Sequence, residues 1–137
     1  MKLTGRYEDA VVLDPVSGTK RRFSTFDPYW QWAADYRHDL GKWAYGLNLS
    51  DRSPFAIYRT NELDRNRNKG PFATAFVEYR PAPRTTVTLD VDNLLETQAR
   101  RERIFSIPSR AVPPSLLEFR ERNSHRSFSI TLKQGFG

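Results

Sequence analysis

The stretch Ser127-Phe-Ser-Ile-Thr-Leu-Lys-Gln-Gly-Phe-Gly137 decides the fold. Apolar and polar side chains alternate along it, which is the period of a β-strand with two chemically different faces. Such a strand fits the edge of a soluble β-sheet, and it also fits the closing strand of a transmembrane β-barrel, whose apolar face meets lipid. The apolar positions are Phe128, Ile130, Leu132 and Phe136.

The same alternation recurs upstream and predicts an all-β fold. We expect an antiparallel up-and-down meander of about six long strands, the last of which begins at Arg126. The hairpin around Gly41 is the clearest case, because large aromatic residues stand close to its turn on both arms. The five earlier strands are predicted at Lys2–Leu13, Pro28–Asp39, Trp43–Ser50, Phe72–Tyr79 and Thr85–Asn93.

The predicted connections differ in length in a regular way. Short turns are expected at Leu40–Lys42 and Pro81–Arg84, whereas charged loops without periodicity are expected at Lys20–Arg22 and Asn61–Gly70. The segment Leu95–Arg103 is likewise polar and basic. Short turns at one end of the strands and long loops at the other are the arrangement of outer-membrane barrels, and soluble meanders rarely separate loop lengths so consistently.

The composition suits a sheet with a single apolar face better than a soluble globule. The 137 residues are the length of one domain, with only 38% hydrophobic residues but 13% aromatic residues. The net charge of +6 leaves a nucleic-acid partner open. The chain has no cysteine and no apolar run of transmembrane-helix length. Residues 1–10 lack the apolar segment of a signal peptide, so we expect a fragment of a larger protein or a truncated gene.

Residues with possible chemistry are few, and we expect no enzyme, no cofactor and no metal site. Asp90 and Asp92 share a strand face, as paired acid–base carboxylates do, but lining charge is the simpler interpretation. His38 and His125 lack a nearby partner of metal-ligand type. The basic runs Arg65–Lys69 and Arg100–Arg103 have a composition that binds phosphates, although solvated loop charge explains them as well.

Several motifs resemble the C-terminal part of a TonB-dependent outer-membrane receptor. The first is Val77-Glu-Tyr-Arg-Pro81, followed after a short turn by the alternating strand Thr86–Asp92 and then Asn93-Leu-Leu95. The strand Arg126–Phe136 resembles the one that closes the family's barrel, and Asp14-Pro-Val-Ser-Gly18 is similar to an external-loop motif. The similarity is strongest over residues 71–136. The sequence departs from the family because Gly137 follows the aromatic residue and because the plug domain and most strands are absent.

The resemblance implies a location and a set of partners. The whole of residues 1–137 would be a barrel-wall segment in the outer membrane of a Gram-negative bacterium, within a receptor for active uptake of siderophore-bound iron, vitamins or carbohydrates. Its partners would be outer-membrane lipid and lipopolysaccharide, the rest of the barrel with its plug, and the barrel-assembly machinery. TonB would act only through the missing plug, so this segment alone would not transport. No nucleic-acid partner is implied.

The resemblance also assigns the two faces of the strands and their direction. With the C-terminus at the periplasm, parity places a turn at Asn123–His125 on the extracellular side and gives six membrane-crossing strands. An aromatic girdle would lie near the short turns, built from Trp30, Trp32, Tyr36, Trp43, Tyr45 and Tyr79. The lumen would be lined by Asp35, Arg37, Glu78, Asp90, Asp92 and Lys133. The lipid-facing residues would be Trp30, Trp32, Trp43, Tyr45, Val87, Leu89, Val91, Phe128, Ile130, Leu132 and Phe136.

Two alternatives remain open from the sequence. One is a soluble basic β-sheet protein that binds nucleic acid or a small ligand. It requires a cover for the apolar face around Trp30, Trp32 and Trp43, and the sequence has no amphipathic helix to supply one. The other is a truncated pseudogene product without an independent function.

Overall fold

The computed structural model describes residues 1–23, 28–122 and 125–135, and this part of the chain is all-β, as the sequence predicts. It contains no helix, and so none long and apolar enough to cross a membrane. The strands are β1 (Lys2–Tyr7), β2 (Val11–Leu13), β3 (Lys20–Arg22), β4 (Trp30–Leu40), β5 (Trp43–Arg52), β6 (Phe55–Tyr58), β7 (Glu62–Asn68), β8 (Phe72–Ala82), β9 (Thr85–Asp92), β10 (Ala99–Phe105), β11 (Leu116–Arg122) and β12 (Ser127–Gln134).

Six long strands form the main sheet, in the order β1-β4-β5-β8-β9-β12. All neighbouring strands in this sheet are antiparallel, and the order of the six strands in the sheet is the same as their order along the chain. The predicted meander is therefore present. The edges of the sheet are β1 and β12, so no closed barrel is formed by the described residues.

The two short turns lie at the same end of the main sheet, as predicted. In the first, Leu40 pairs with Trp43, and the first central residue, Gly41, has a φ of 60°. Tight two-residue hairpin turns require a positive φ at this position, which favours glycine. In the second, Ala82 pairs with Thr85 across Pro83 and Arg84. The three long connections therefore leave the opposite end of the sheet.

The long connections are more ordered than the sequence suggests. A second antiparallel sheet has the order β11-β10-β7-β6, and β2 and β3 form a separate hairpin. The predicted loop at Asn61–Gly70 is wrong, because β7 occupies most of it, and the basic triplet Lys20–Arg22 is a strand rather than a loop tip. Charged residues form these strands because ion pairs and cross-strand bonds replace the apolar alternation that usually signals a strand.

Two further predictions are corrected. The described residues form twelve strands rather than about six, and Lys2–Leu13 is divided into β1 and β2. The turn predicted at Asn123–His125 includes Asn123 and Ser124, which lie outside the described residues. Between the antiparallel strands β10 and β11 the chain reverses in residues 106–115, where the amide of Ser115 donates to the carbonyl of Phe105.

The packed apolar core is very small. Among the described hydrophobic residues only Ala44 and Ala73 are buried, while most of the fully buried side chains are polar or charged. A sheet one layer thick leaves both of its faces accessible. The apolar face of the main sheet is consequently exposed in this chain.

Candidate functional site

The apolar residues of the six long strands form one continuous face. Directly opposite partners in an antiparallel sheet point to the same side. One row across the sheet consists of His38, Tyr45, Val77, Leu89 and Ile130, each opposite the next. The neighbouring rows continue the pattern from β4 to β12, with Asp51 opposite Trp32 as a charged residue on the same face.

This face is exposed to a degree that is unusual for large apolar side chains. Ile130 is 76% exposed, Phe128 69% and Leu132 64%, and on the inner strands Trp43 is still 50% exposed. The register brings together all the described residues that were predicted to face lipid, whereas Phe136 lies outside the described residues. They are Trp30, Trp32, Trp43, Tyr45, Val87, Leu89, Val91, Phe128, Ile130 and Leu132.

The aromatic residues form two groups rather than the single one that was predicted. Near the short turns, the rings of Trp43 and Tyr79 lie 4.4 Å apart and those of Tyr36 and Tyr45 lie 6.2 Å apart. Trp30 and Trp32 do not belong to this group, because they stand at the opposite end of β4. There Trp30 lies 6.4 Å from the ring of Tyr29. Each end of the apolar face thus has its own aromatic group.

The opposite face of the main sheet is polar. All six residues predicted to line a lumen share it by register, and they do not converge on one point. On β4, Asp35 accepts a hydrogen bond of 2.6 Å from Nδ2 of Asn48. On β9, Asp90 lies opposite Ser129 of β12. The full set is Asp35, Arg37, Glu78, Asp90, Asp92 and Lys133.

An ion-pair network crosses this polar face near the short turns. Arg37 and Asp39 on β4 reach Glu78 and Arg80 on β8, with Arg37 Nη2 3.3 Å from Glu78 Oε1 and Arg80 Nη2 3.2 Å from Asp39 Oδ1. Near the short turns, the intervening strand β5 presents the small residues Ala44 and Gly46 on this face, which leaves room for the side chains to meet. This network has a signal in the sequence: charged residues two positions apart occur on two strands, and the strand between them carries small residues. The sequence prediction did not use this signal.

The first and the third long connections meet at the buried carboxylate of Asp14, in the turn predicted at residues 14–18. The backbone amides of Val16 and Ser17 donate to Oδ1, and Arg21 Nε donates to Oδ2 at 2.7 Å. Arg110 Nη2 donates to both oxygens, at 3.1 and 3.0 Å. Burial alone would raise the pKa of Asp14, but the bonds from these two amides and two arginines hold it well below its usual range.

One face of the second sheet is a set of paired charges. Arg101 binds the fully buried Asp64 through Nε and Nη2, at 2.9 and 2.6 Å. Arg103 bridges Glu62, at 2.6 Å, and Glu118, at 3.1 Å. The hydrogen bonds from these arginines outweigh burial and lower the pKa of both Glu62 and Asp64. Sequence reasoning missed these residues because ion pairs between distant strands leave no local pattern.

The other face of the second sheet is mainly basic, although Glu102 lies opposite Arg65 and Glu121 lies opposite Arg100. A cleft of about 600 Å³ lies between it and β3 and opens beside Tyr29 and Tyr58. Arg67 of β7 stands directly opposite Arg100 of β10, although like charges in this position repel each other. The charged residues that line the cleft are Lys20, Arg21, Arg22, Arg65, Arg67, Arg100 and Glu102.

The other candidates from the sequence are not gathered into a site. His38 packs on Tyr45 with 5.5 Å between ring centroids, and it lies on the apolar face. Within residues 1–23, 28–122 and 125–135, no three side chains of metal-ligand type are grouped closely enough to hold an ion. Asn93 fixes the chain after β9, because its Oδ1 accepts a bond of 2.8 Å from the amide of Thr97 and its φ is 50°.

No protein-family model, curated protein or solved structure matches this chain.

Proposed function

We propose that this chain is a wall segment of an outer-membrane β-barrel, of the TonB-dependent receptor type, which serves the uptake of a scarce solute. The observation that carries this proposal is the apolar face of the main sheet. It extends over β4, β5, β8, β9 and β12, and no described residue covers it. Contact of such an apolar surface with water is unfavourable, whereas contact with the hydrocarbon of a bilayer is favourable.

The spacing of the two aromatic groups supports the same assignment. Leu40, the residue paired with Trp43, lies ten residues after Trp30 on β4. This separation corresponds to roughly 33 Å along the strand. With the tilt of about 40° that is usual for membrane barrels, the separation across the membrane is about 25 Å. That is close to the height of the apolar band between the two aromatic girdles of such barrels.

The topology supports the proposal as well. Meander order, short turns at one end and long connections at the other are the usual features of outer-membrane barrels. In this orientation the second sheet projects on the extracellular side, and the charged face of β4, β8, β9 and β12 lines the lumen. The free edges of β1 and β12 pair with barrel strands outside this chain, since exposed edges otherwise promote aggregation. The chain closes the wall and presents loops, and it has no catalytic role.

The alternative of a soluble basic β-sheet protein needs an additional partner. A monomeric soluble protein rarely exposes a continuous apolar patch larger than a few hundred Å². The basic cleft is the observation that favours this alternative. It does not provide a cover for the apolar face, because its charged residues belong to the second sheet and to β3.

Single-cysteine labelling in the bacterial outer membrane tests the proposal, because the native chain has no cysteine. Residues 128 to 133 would be replaced one at a time and treated with a membrane-impermeant maleimide and with a lipid-soluble one. We expect positions 128, 130 and 132 to react only with the lipid-soluble reagent, and positions 129, 131 and 133 to react with the impermeant one. Equal labelling of both sets, or recovery of the chain as a folded soluble monomer, would contradict the proposal.

A further inference from the structure

We propose that the basic cleft between β3 and the second sheet binds a compact polyanion that carries phosphate groups. The inference goes beyond the barrel assignment and does not depend on it, since the cleft is built entirely from residues outside the main sheet. Among the described residues, its charged lining consists of six cations and the carboxylate of Glu102.

The contrast between the two faces of the second sheet carries the inference. On one face, Arg101 and Arg103 are matched by Asp64, Glu62 and Glu118 at 2.6 to 3.1 Å. On the cleft face, Glu102 stands opposite Arg65 and Glu121 opposite Arg100, but among the described residues no carboxylate closes to ion-pair distance with the cleft cations other than Arg21. These five cations are Lys20, Arg22, Arg65, Arg67 and Arg100.

The charges of the empty cleft are only partly balanced. Arg67 and Arg100 are directly opposite on adjacent strands, where like charges are destabilising, and Glu121 opposite Arg100 on β11 offsets part of this repulsion. Of the cations in the described lining, Arg21 is neutralised by an ion pair, with Asp14. An anion in the cleft would remove the repulsion, so that binding and loop stability are coupled.

The donor types favour phosphate groups. Guanidinium groups bind phosphate oxygens with two parallel hydrogen bonds, and several arginines around one cleft match a ligand with several phosphate oxygens. Two rings are held at the cleft by the same cations, with Arg22 3.9 Å above Tyr29 and Arg21 4.1 Å above Tyr58. These stacked arginines are oriented before a ligand arrives, which reduces the entropy lost on binding.

The size of the cleft favours a compact ligand over a nucleic acid. About 600 Å³ accommodates a few phosphate groups or a phosphorylated lipid headgroup. A nucleic-acid strand needs a groove that follows its backbone over several nucleotides. The cleft is instead bounded by β3 on one side and by β6, β7 and β10 on the other.

Binding of inorganic tripolyphosphate to the full chain in non-ionic detergent tests the inference by calorimetry at low salt. The variant R67Q/R100Q removes the two opposed arginines. We expect its affinity to fall about a hundredfold, since each charge-assisted hydrogen bond that is lost is worth about tenfold. This variant removes the repulsion between the two arginines and also the attraction between Arg100 and Glu121, so its unfolding temperature without ligand should stay close to that of the wild type.

The control variant K2Q/K42Q removes the same net charge from the main sheet, far from the cleft along the strands. We expect its affinity for tripolyphosphate to stay within about twofold of the wild type. An equal loss in both variants would overturn the inference, because it would mean that tripolyphosphate responds only to total charge. Absence of wild-type binding at millimolar tripolyphosphate would overturn it as well.

Competition experiments identify the source of the phosphate. If vesicles that carry lipid A displace tripolyphosphate and phosphate-free vesicles do not, the ligand is a lipid headgroup. If neither displaces it, the ligand is a soluble phosphorylated compound. Both outcomes support the inference. A single-stranded oligonucleotide whose affinity rises with length and far exceeds that of tripolyphosphate would contradict it, since the cleft would then be part of a nucleic-acid surface.

Discussion

Arg110 Nη2 lies 3.0 Å from Asp14 Oδ2, although the two residues are 96 positions apart in the sequence. The backbone amide of Arg110 also donates to the carbonyl of Thr60, at 2.8 Å. Arg110, in the last long connection, therefore binds the first long connection through Asp14 and the second through Thr60. The long connections form a single assembly at one end of the main sheet, in which charged side chains replace an apolar core.

Replacement of Asp14 by alanine should loosen this assembly without unfolding the main sheet. The change removes the buried acceptor of two backbone amides and leaves the half-buried guanidinium groups of Arg21 and Arg110 without this carboxylate. Loss of one partner of a buried pair costs about 3–5 kcal/mol. We expect faster amide hydrogen exchange in residues 11–22 and 55–68 but not in β9 or β12. Asp9→Ala, an exposed change in the same connection, is the control, and equal effects of the two would contradict the assignment.

Acid should destabilise the same assembly. The pKa values of Glu62 and Asp64 are lowered in the folded chain from their ordinary values of 4.5 and 3.8, and that of Asp14 is lowered as well. A lowered folded pKa gives stability that is fully present above the ordinary value and is lost as pH falls through the folded one. We expect constant protection of β7 and β10 from hydrogen exchange between pH 8 and 6, after correction for intrinsic rates, and a progressive loss below about pH 4.5.

Asp64→Asn is the variant that tests the cause of this pH dependence. It keeps the shape of the side chain but removes the charge that binds Arg101. The variant should be less stable at pH 7 and should lose less stability on acidification than the wild type. An unchanged slope between pH 5 and 3 would mean that other groups determine the acid response.

Gly46 should tolerate no larger residue. A Cβ at this position would lie 2.6 Å from the carbonyl oxygen of Tyr36 and would collide with the ring of Phe76 on the neighbouring strand. Gly46→Ala should therefore lower the free energy of unfolding by about 1–3 kcal/mol in a urea titration of the detergent-solubilised chain. Gly5→Ala is the matched control, since its Cβ would meet only the carbonyl of Gln31 at 4.0 Å. A comparable loss in the two variants would show that strand glycine in general, not the ring of Phe76, is responsible.

The main sheet could be predicted from the sequence because its two faces differ chemically at every step. Val87, Leu89 and Val91 alternate with Thr86, Thr88 and Asp90, so periodicity alone gives the strand and its faces. The tight turn at Gly41 was equally visible, since glycine adopts the positive φ without strain. The length of a connection follows from counting residues between such strands, and it needs no three-dimensional information.

The outer part of the chain could not be predicted in this way. In β7 the residues are Glu62-Leu-Asp-Arg-Asn-Arg-Asn68, which resembles a solvated loop until the arginines of β10 are placed beside it. Its strand conformation depends on partners about 40 residues away, such as Arg103 for Glu62. Asp14 was likewise recognised as a turn residue but not as the ion-pair partner of Arg110, because the two residues are far apart in the sequence.

A charge at Ile130 should impair membrane insertion, whereas a charge at the next residue should not. Ile130 is 76% exposed on the apolar face, opposite Leu89, and Thr131 lies on the polar face, opposite Thr88. An arginine in contact with lipid near mid-bilayer costs roughly 2–4 kcal/mol, but an arginine in a water-filled lumen avoids most of this cost. With the chain present in its full barrel, Ile130→Arg should reduce the folded, urea-resistant fraction in outer membranes several-fold, and Thr131→Arg should leave it nearly unchanged. If both variants fold equally well, the apolar face is covered by protein or water rather than by lipid, and the barrel assignment is wrong.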